Sequence, residues 1–281
     1  MLSTGAADGT SGACKPASAL AKRSHAPGQI VKQAHKLQQL GLDPTDKMSA
    51  GVETVASGAI VCFRSLEELL VGAKTWMIVY ANAKVGDALR GNPKLNRDAT
   101  LQLATSLFPK DKLELIGEGD LSYTCPPNDE LHIGCFSEVS ILAAKEFGID
   151  YPSKLPAPFI SAGGNRTVYL HAMHSVVDWF AFAKWIDGKL IRSLSVSPDN
   201  GILEDIGQRL PFEEPFWLGQ NPATDDDEDE YSLPFHPLEL GEAALKEFFG
   251  YQLEGFIDPS LLQPEAIPLL KYKRRRSLWR L

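Results

Sequence analysis

The clearest hydrophobic pattern in the chain lies at residues 176–196, where two apolar runs, 176–186 and 190–196, flank the pair Asp187-Gly188. A two-residue Asp-Gly link between apolar runs predicts a β-hairpin closed by a type I′ turn. A regular ladder from that turn pairs Ile186 with Lys189, Trp185 with Leu190 and Trp179 with Val196. One face then carries Trp179, Ala181, Ala183, Trp185, Leu190, Leu194 and Val196. The other carries Phe180, Phe182, Lys184, Ile186 and Ile191, with Ser193 and Ser195 beyond. Both faces are largely apolar, which predicts a central hairpin covered on both sides.

The rest of the pattern supplies its neighbours. The run KTWMIVYA at residues 74–81 reads as a strand rich in β-formers. Residues 85–91 read as a short helical segment. A longer helix is predicted over 96–108, capped by Asn96, with Leu101, Ala104, Leu107 and Phe108 on one side and Pro109 after it. Residues 112–116, 130–136 and 166–170 read as strands. Residues 139–144 do too, although 139–147 could be helical. Between them, 117–129 reads as a polar loop, and 153–162 as a short helix weakened by Pro156 and Pro158. Residues 199–207 are turn-rich. Residues 237–249 give the cleanest helix, with Leu238, Leu245, Phe248 and Phe249 apolar and Gly250 as the stop. Residues 271–281 form a basic tail. Strands mixed with helices in this order predict an α+β fold, a mostly antiparallel sheet with a central hairpin and helices packed on it.

Composition changes the picture mainly at the N-terminal side. Up to about Gly28 the chain has few large apolar residues, so disorder is expected there. Residues 29–40 carry a thin helical stripe. At Lys74 the character changes abruptly, directly after Val71-Gly72. Valine can be encoded by GTG, a bacterial start codon, so residues 1–70 are expected to be either a flexible extension or an over-extended start. The expected organisation is an extension over 1–70, a single α+β domain over 71–270 and a tail over 271–281.

A net charge of −8 argues against general nucleic-acid binding, which needs a basic face to neutralise phosphates. No apolar run approaches the roughly 18 residues of a membrane span. The four cysteines, Cys14, Cys62, Cys125 and Cys135, are scattered, which suits free thiols in the cytoplasm. Cys125 and Cys135 could still meet across a hairpin.

Several groups of residues offer chemistry. His171 and His174, with Asp178, have the side-chain types of a zinc site. On a continuing strand, however, an offset of three points the two histidines to opposite faces, and only a turn at 172–175 would bring them together. Ser175 beside His174 and Asp178 has the composition of a hydrolase triad but no G-x-S-x-G elbow. Cys135 with His132 could form a thiol nucleophile, and a small core residue explains the cysteine equally well. Asp199, Asn200, Glu204 and Asp205 could ligate a divalent cation. They fit equally an exposed turn that caps a helix near 202–206. Glu213 and Glu214 with Glu204 or Asp205 could form a carboxylate pair. Gly163-Gly164-Asn165-Arg166 lacks the spacing of a phosphate loop. The basic tail could contact nucleic acid, anionic lipid or the acidic run 225–230, or lie in solvent. An uncovered Phe180/Phe182 face would make a partner or ligand surface.

The phrases GAKTWMIVYA (72–81), YLHAMHSVVDWFAFAKW (169–185), IRSLSVSPDNGILEDIG (191–207), LPFEEPFW (210–217) and LPFHPLELGEAAL (233–245) together resemble a family of uncharacterised bacterial proteins, known only as a domain of unknown function. The resemblance spans about residues 71–268. It implies a domain that begins close to the first phrase, and it carries no activity, cofactor or catalytic residue.

The reading that results is a non-catalytic interaction or accessory module with an unknown protein partner, no nucleic-acid or membrane contact and no resident cofactor. Its alternative is an enzyme, in one version dependent on a divalent metal, whose site gathers His171, His174, Asp178, Asp199 and Glu204 at the open end of the hairpin. The metal would fall to His171, His174 and Asp178.

Overall fold

The computed structural model describes residues 54–56, 59–61, 73–223, 232–255 and 258–276. The readings for residues 1–53, including Cys14 and the stripe at 29–40, lie outside the described residues. So do Cys62, the junction at Val71-Gly72, the acidic run 225–230 and the chain end after Arg276. Backbone contacts divide the chain into Met1–Lys47 and Met48–Leu281, and every described element belongs to the second unit.

Two short strands, β1 (Thr54–Ala56) and β2 (Ala59–Val61), pair as a small antiparallel ribbon. All other strands join one sheet. In chain order these are β3 (Lys74–Ala81), β4 (Asp111–Asp120), β5 (Glu130–Cys135), β6 (Val139–Ala143), β7 (Thr167–His174), β8 (Trp179–Ile186), β9 (Lys189–Ser197), β10 (Gly201–Gly207) and β11 (Pro268–Arg276). Their order across the sheet is β10-β9-β8-β7-β3-β6-β5-β11-β4, and every pairing is antiparallel. The helices are α1 (Val85–Ala88), α2 (Arg97–Leu107), α3 (Ala157–Ser161), α4 (Glu214–Trp217) and α5 (Pro237–Phe249). The fold is therefore mixed α and β with the sheet dominant.

The first face of the sheet presents Met77, Val79, Met173, Phe180, Phe182, Leu194 and Val196 to the apolar side of α5, where Leu240, Ala244, Leu245, Phe248 and Phe249 are buried. Gly241 lets α5 come close: a Cβ there would lie 2.6 Å from Met173 Sδ and 3.1 Å from Phe180. The second face presents Ile78, Tyr80, Leu142, Leu170, Trp179 and Trp185, and it packs with Ala104 and Phe108 of the α2 region and Phe159 of α3. The caps follow the sequence. Asn96 Oδ1 accepts the Ala99 amide at 3.0 Å, and Gly250 ends α5 at φ 79° in the left-handed region that a side chain disfavours.

Several sequence readings change. The hairpin starts as predicted, with Ile186 opposite Lys189 and Trp185 opposite Leu190, but Lys184 then faces Arg192. Ile191 is an extra residue, a β-bulge, and it shifts the ladder by one. Val196 consequently faces Phe180 rather than Trp179, so Leu194 and Val196 join the phenylalanine face while Ser193 and Ser195 join the tryptophan face. Trp179 Nε1 donates to Ser195 Oγ at 3.1 Å. Both faces are covered as expected, but the hairpin lies toward one end of the sheet and β3 takes the middle.

The segment read as a turn before a helix is instead the edge strand β10, and Val176 and Val177 lie exposed in the β7–β8 turn. The segment 153–162 splits into a 3₁₀ turn, Pro152–Lys154, and α3. Finally, Lys271 to Arg276 of the expected tail belong to β11, inserted between β5 and β4. Alternation explains this. Leu270 and Tyr272 point into the core, while charged neighbours take up the cations. Lys273 meets Asp129 at 2.8 Å, Arg274 meets Asp111 at 2.8 Å and Glu146 at 2.7 Å, and Arg275 meets Glu114 at 2.7 Å.

Candidate functional site

Strand β7 continues unbroken through His174, so His171 and His174 project to opposite faces. His171 is fully buried beneath α5. Its Nε2 donates to the Gly241 carbonyl at 3.0 Å, which leaves Nδ1 to accept the Thr75 hydroxyl at 2.7 Å. Burial without a counter-charge pushes its pKa down to about 4, so the ring is neutral. Both nitrogens are thus engaged in tying α5 to the sheet.

His174, on the other face, stacks on Trp76 with ring centroids 6.3 Å apart, and its pKa is lowered by burial and by Lys74 and Lys145. Its Nδ1 is buried without a hydrogen-bond partner. Lys145 places its ammonium 3.7 Å over the same tryptophan ring.

Asp178 sits in the β7–β8 turn at φ 47°, where its carboxylate lies 3.8 Å from His236 Nε2. Asp199 is exposed in the β9–β10 turn. Glu204 is buried on the second face at the opposite sheet edge from β4. It accepts the Ser153 amide at 3.0 Å and the Ser153 and Ser193 hydroxyls, which fastens β10 to the 3₁₀ turn. The structure therefore brings none of the five together as a cluster. Among the described residues, no group of three His, Cys, Asp or Glu side chains is placed to hold a metal ion.

The other sequence candidates also find structural partners. Cys135 is buried on β5, three residues from His132 and on the opposite face. Burial pushes its thiol pKa up, away from a reactive thiolate. Cys125 and Cys135 are both free thiols. Glu213 grips Arg192: Nε donates to Oε1 at 2.9 Å and Nη2 to Oε2 at 2.6 Å, and both side chains are fully buried. Arg192 Nη1 also reaches Asp205 and the Ile206 carbonyl. Glu213 Oε1 accepts the Leu210 amide at 2.8 Å, so the ion pair fixes the loop before α4.

Sequence reasoning missed two features. The regular ladder puts Arg192 on the tryptophan face without a role, and the Ile191 bulge moves it to the phenylalanine face, where Glu213 meets it. Glu242, four residues after Leu238 and three before Leu245, has no role in the sequence reading, yet it is buried against the segment after α5. Its Oε2 accepts the Leu253 amide at 2.8 Å while Oε1 has no partner. Burial, reinforced by Glu254, raises its pKa to about 8. The spacing of Glu242 from Leu238, Leu245 and Phe249 puts it on the apolar stripe, and only the tertiary fold shows that residues 251–254 return over it.

Clefts open on both faces. One, of about 210 Å³, lies on the first face between Tyr169, Lys184, Lys84, Phe212, Glu247 and Phe248. Another, of about 660 Å³ and more open, runs past Leu107, Phe108, Pro109 and Pro158 on the second face. No helix among the described residues is long and apolar enough to cross a membrane.

A family model described as a family of unknown function (DUF6928) matches residues 75–272. No curated protein and no solved structure matches the chain.

Proposed function

We propose that this chain, which belongs to the DUF6928 family, is a non-catalytic interaction module whose partner is a protein. The observation that carries the reading is the use made of its buried polar side chains. His171 holds α5 to β3 and β7, Arg192 and Glu213 hold the loop before α4 to β9, and Glu204 holds a 3₁₀ turn to β10. Side chains buried and engaged in this way hold elements together and do not face a substrate, whereas His174 Nδ1 and Glu242 Oε1 are buried without partners. The choice of a protein over nucleic acid rests on charge. The chain carries −8, and Lys273, Arg274 and Arg275 of β11 are neutralised by Asp111, Glu114, Asp129 and Glu146. The free thiols of Cys125 and Cys135 fit a reducing cytoplasm.

The test is affinity purification of the full tagged chain from its own cells after mild cross-linking, with mass spectrometry for protein and elemental analysis for metal. The expected outcome is one protein in stoichiometric amount and metal at background. Stoichiometric metal that disappears in His174→Ala, or substrate turnover by the purified chain alone, would replace this reading with the enzymatic one.

A further inference from the structure

The smaller cleft has the parts of a ligand site. Its walls belong to an aromatic cluster: Tyr169 and Phe248 have ring centroids 5.0 Å apart, and Phe212 meets Phe248 edge-on at 5.3 Å. Phe182 backs the cluster, 5.5 Å from Phe248 and 5.8 Å from Phe212. Two lysines, Lys84 and Lys184, join the lining, the latter with Nζ 5.6 Å over the Tyr169 ring. The salt bridges of the described residues engage neither lysine. Glu247 is the one carboxylate in the lining, so the mouth keeps one positive charge in excess.

The remaining wall, Leu210-Pro211-Phe212, is held rigidly. The Leu210 amide is bonded to Glu213, and Glu213 is clamped by Arg192 in a fully buried pair. A desolvated ion pair is a poor source of stability compared with apolar packing. It does fix geometry, and here it fixes one side of the cleft before any ligand arrives.

We propose that this cleft binds a small monoanion with a flat apolar body, of the chemical class of an aromatic carboxylate. The ring fits against Tyr169, Phe212 and Phe248, and the carboxylate lies between Lys84 and Lys184. Size agrees: an apolar cavity of about 150 Å³ accepts a benzene ring, and this cleft, at about 210 Å³, has room for the ring and its charged group. A drug-sized molecule would need about 300 Å³ or more. The proposal goes beyond the interaction reading and stands independently of it, since a protein partner could dock elsewhere with this cleft filled or open.

The experiment is a titration of the full chain with benzoate, followed by amide chemical shifts of Tyr169, Lys184, Leu210 and Phe212. Benzamide, which keeps the ring and loses the charge, and inorganic phosphate, which keeps charge and loses the ring, are titrated in parallel. Saturable benzoate shifts at those amides are expected, with both comparison compounds weaker by about tenfold or more, the value of one charge-assisted hydrogen bond. Lys184→Gln is expected to weaken benzoate by about tenfold and to erase its advantage over benzamide. Lys84→Gln, at an exposed position where the change leaves the fold intact, is expected to act in the same direction. Absence of benzoate shifts at these amides overturns the proposal. So does equal binding of benzoate and benzamide, equal binding of benzoate and phosphate, or unchanged benzoate affinity in both lysine variants.

Discussion

Arg192 shows how far one side chain can depart from its expected place. It is among the largest fully buried side chains in the molecule, and its charge is met by Glu213 and Asp205. Removing one partner of such a pair strands the other charge in the core, which costs about 3–5 kcal/mol, whereas replacing both with apolar residues is often neutral. Arg192→Met is therefore expected to lower the unfolding free energy by about 3 kcal/mol or more in urea titrations. The double variant Arg192→Met/Glu213→Leu should recover most of that loss. A double variant as unstable as the sum of its singles would mean that the two side chains act without coupling, and it would overturn the account of a stranded charge.

At the scale of elements, most pieces were legible and their assembly was less so. Asn96 announced α2, Gly250 ended α5, and the apolar runs at 74–81 and 130–135 were strands as read. These signals are local, set by capping and by alternation. Register across the hairpin was not legible past Trp185, because a bulge leaves no mark that distinguishes Ile191 from any other β-branched residue. The basic β11 was illegible for a different reason. Its cations are acceptable in a sheet only because Asp111, Glu114, Asp129 and Glu146 converge on it from distant parts of the chain. The candidate site is a different case: parity already put the two histidines on opposite faces in the sequence, while the places of Asp178 and Asp199 in turns and of Glu204 on an edge strand needed the fold. The bulge gives a sharp prediction. The Ile191 side chain is 41% exposed, so Ile191→Thr should change stability by under about 0.5 kcal/mol. Deleting Ile191 removes the bulge and leaves Arg192, Leu194 and Val196 opposite Lys184, Phe182 and Phe180, so the variant should still fold, with the local twist of the hairpin reduced. Circular dichroism of the two variants checks both outcomes.

For the whole molecule, two buried groups on α5 and its contact strand set opposing pH limits. The His171 pKa falls from 6.5 to about 4 on folding. The stability it contributes is fully present above 6.5 and is lost as pH drops toward 4. The Glu242 pKa rises from 4.5 to about 8, so its contribution is fully present below 4.5 and is lost as pH climbs toward 8. Between 4.5 and 6.5 the two slopes oppose each other. Maximum stability is expected in that mildly acidic window, with a decline toward pH 8 that Glu242→Gln flattens. A tenfold change in proton affinity is worth about 1.4 kcal/mol, which sets the size of that decline at roughly 1–2 kcal/mol. Urea midpoints at about pH 5.5, 7 and 8.5 would show it. An unchanged wild-type slope in Glu242→Gln would assign the alkaline decline to other groups.

The position of β11 also fixes the order in which the sheet can be finished. This strand, at Pro268–Arg276, is the last described element in the chain, yet it lies between β5 and β4. Until it has been synthesised, β4 has no partner strand and β5 has one open edge, with more than a hundred residues of chain already made beyond them. A nascent chain therefore carries two unpaired strand edges through most of its translation, a state prone to association with chaperones or with other copies. Closure waits on β11, so a stall or premature stop only a few codons before it would leave a sheet with its end strand detached.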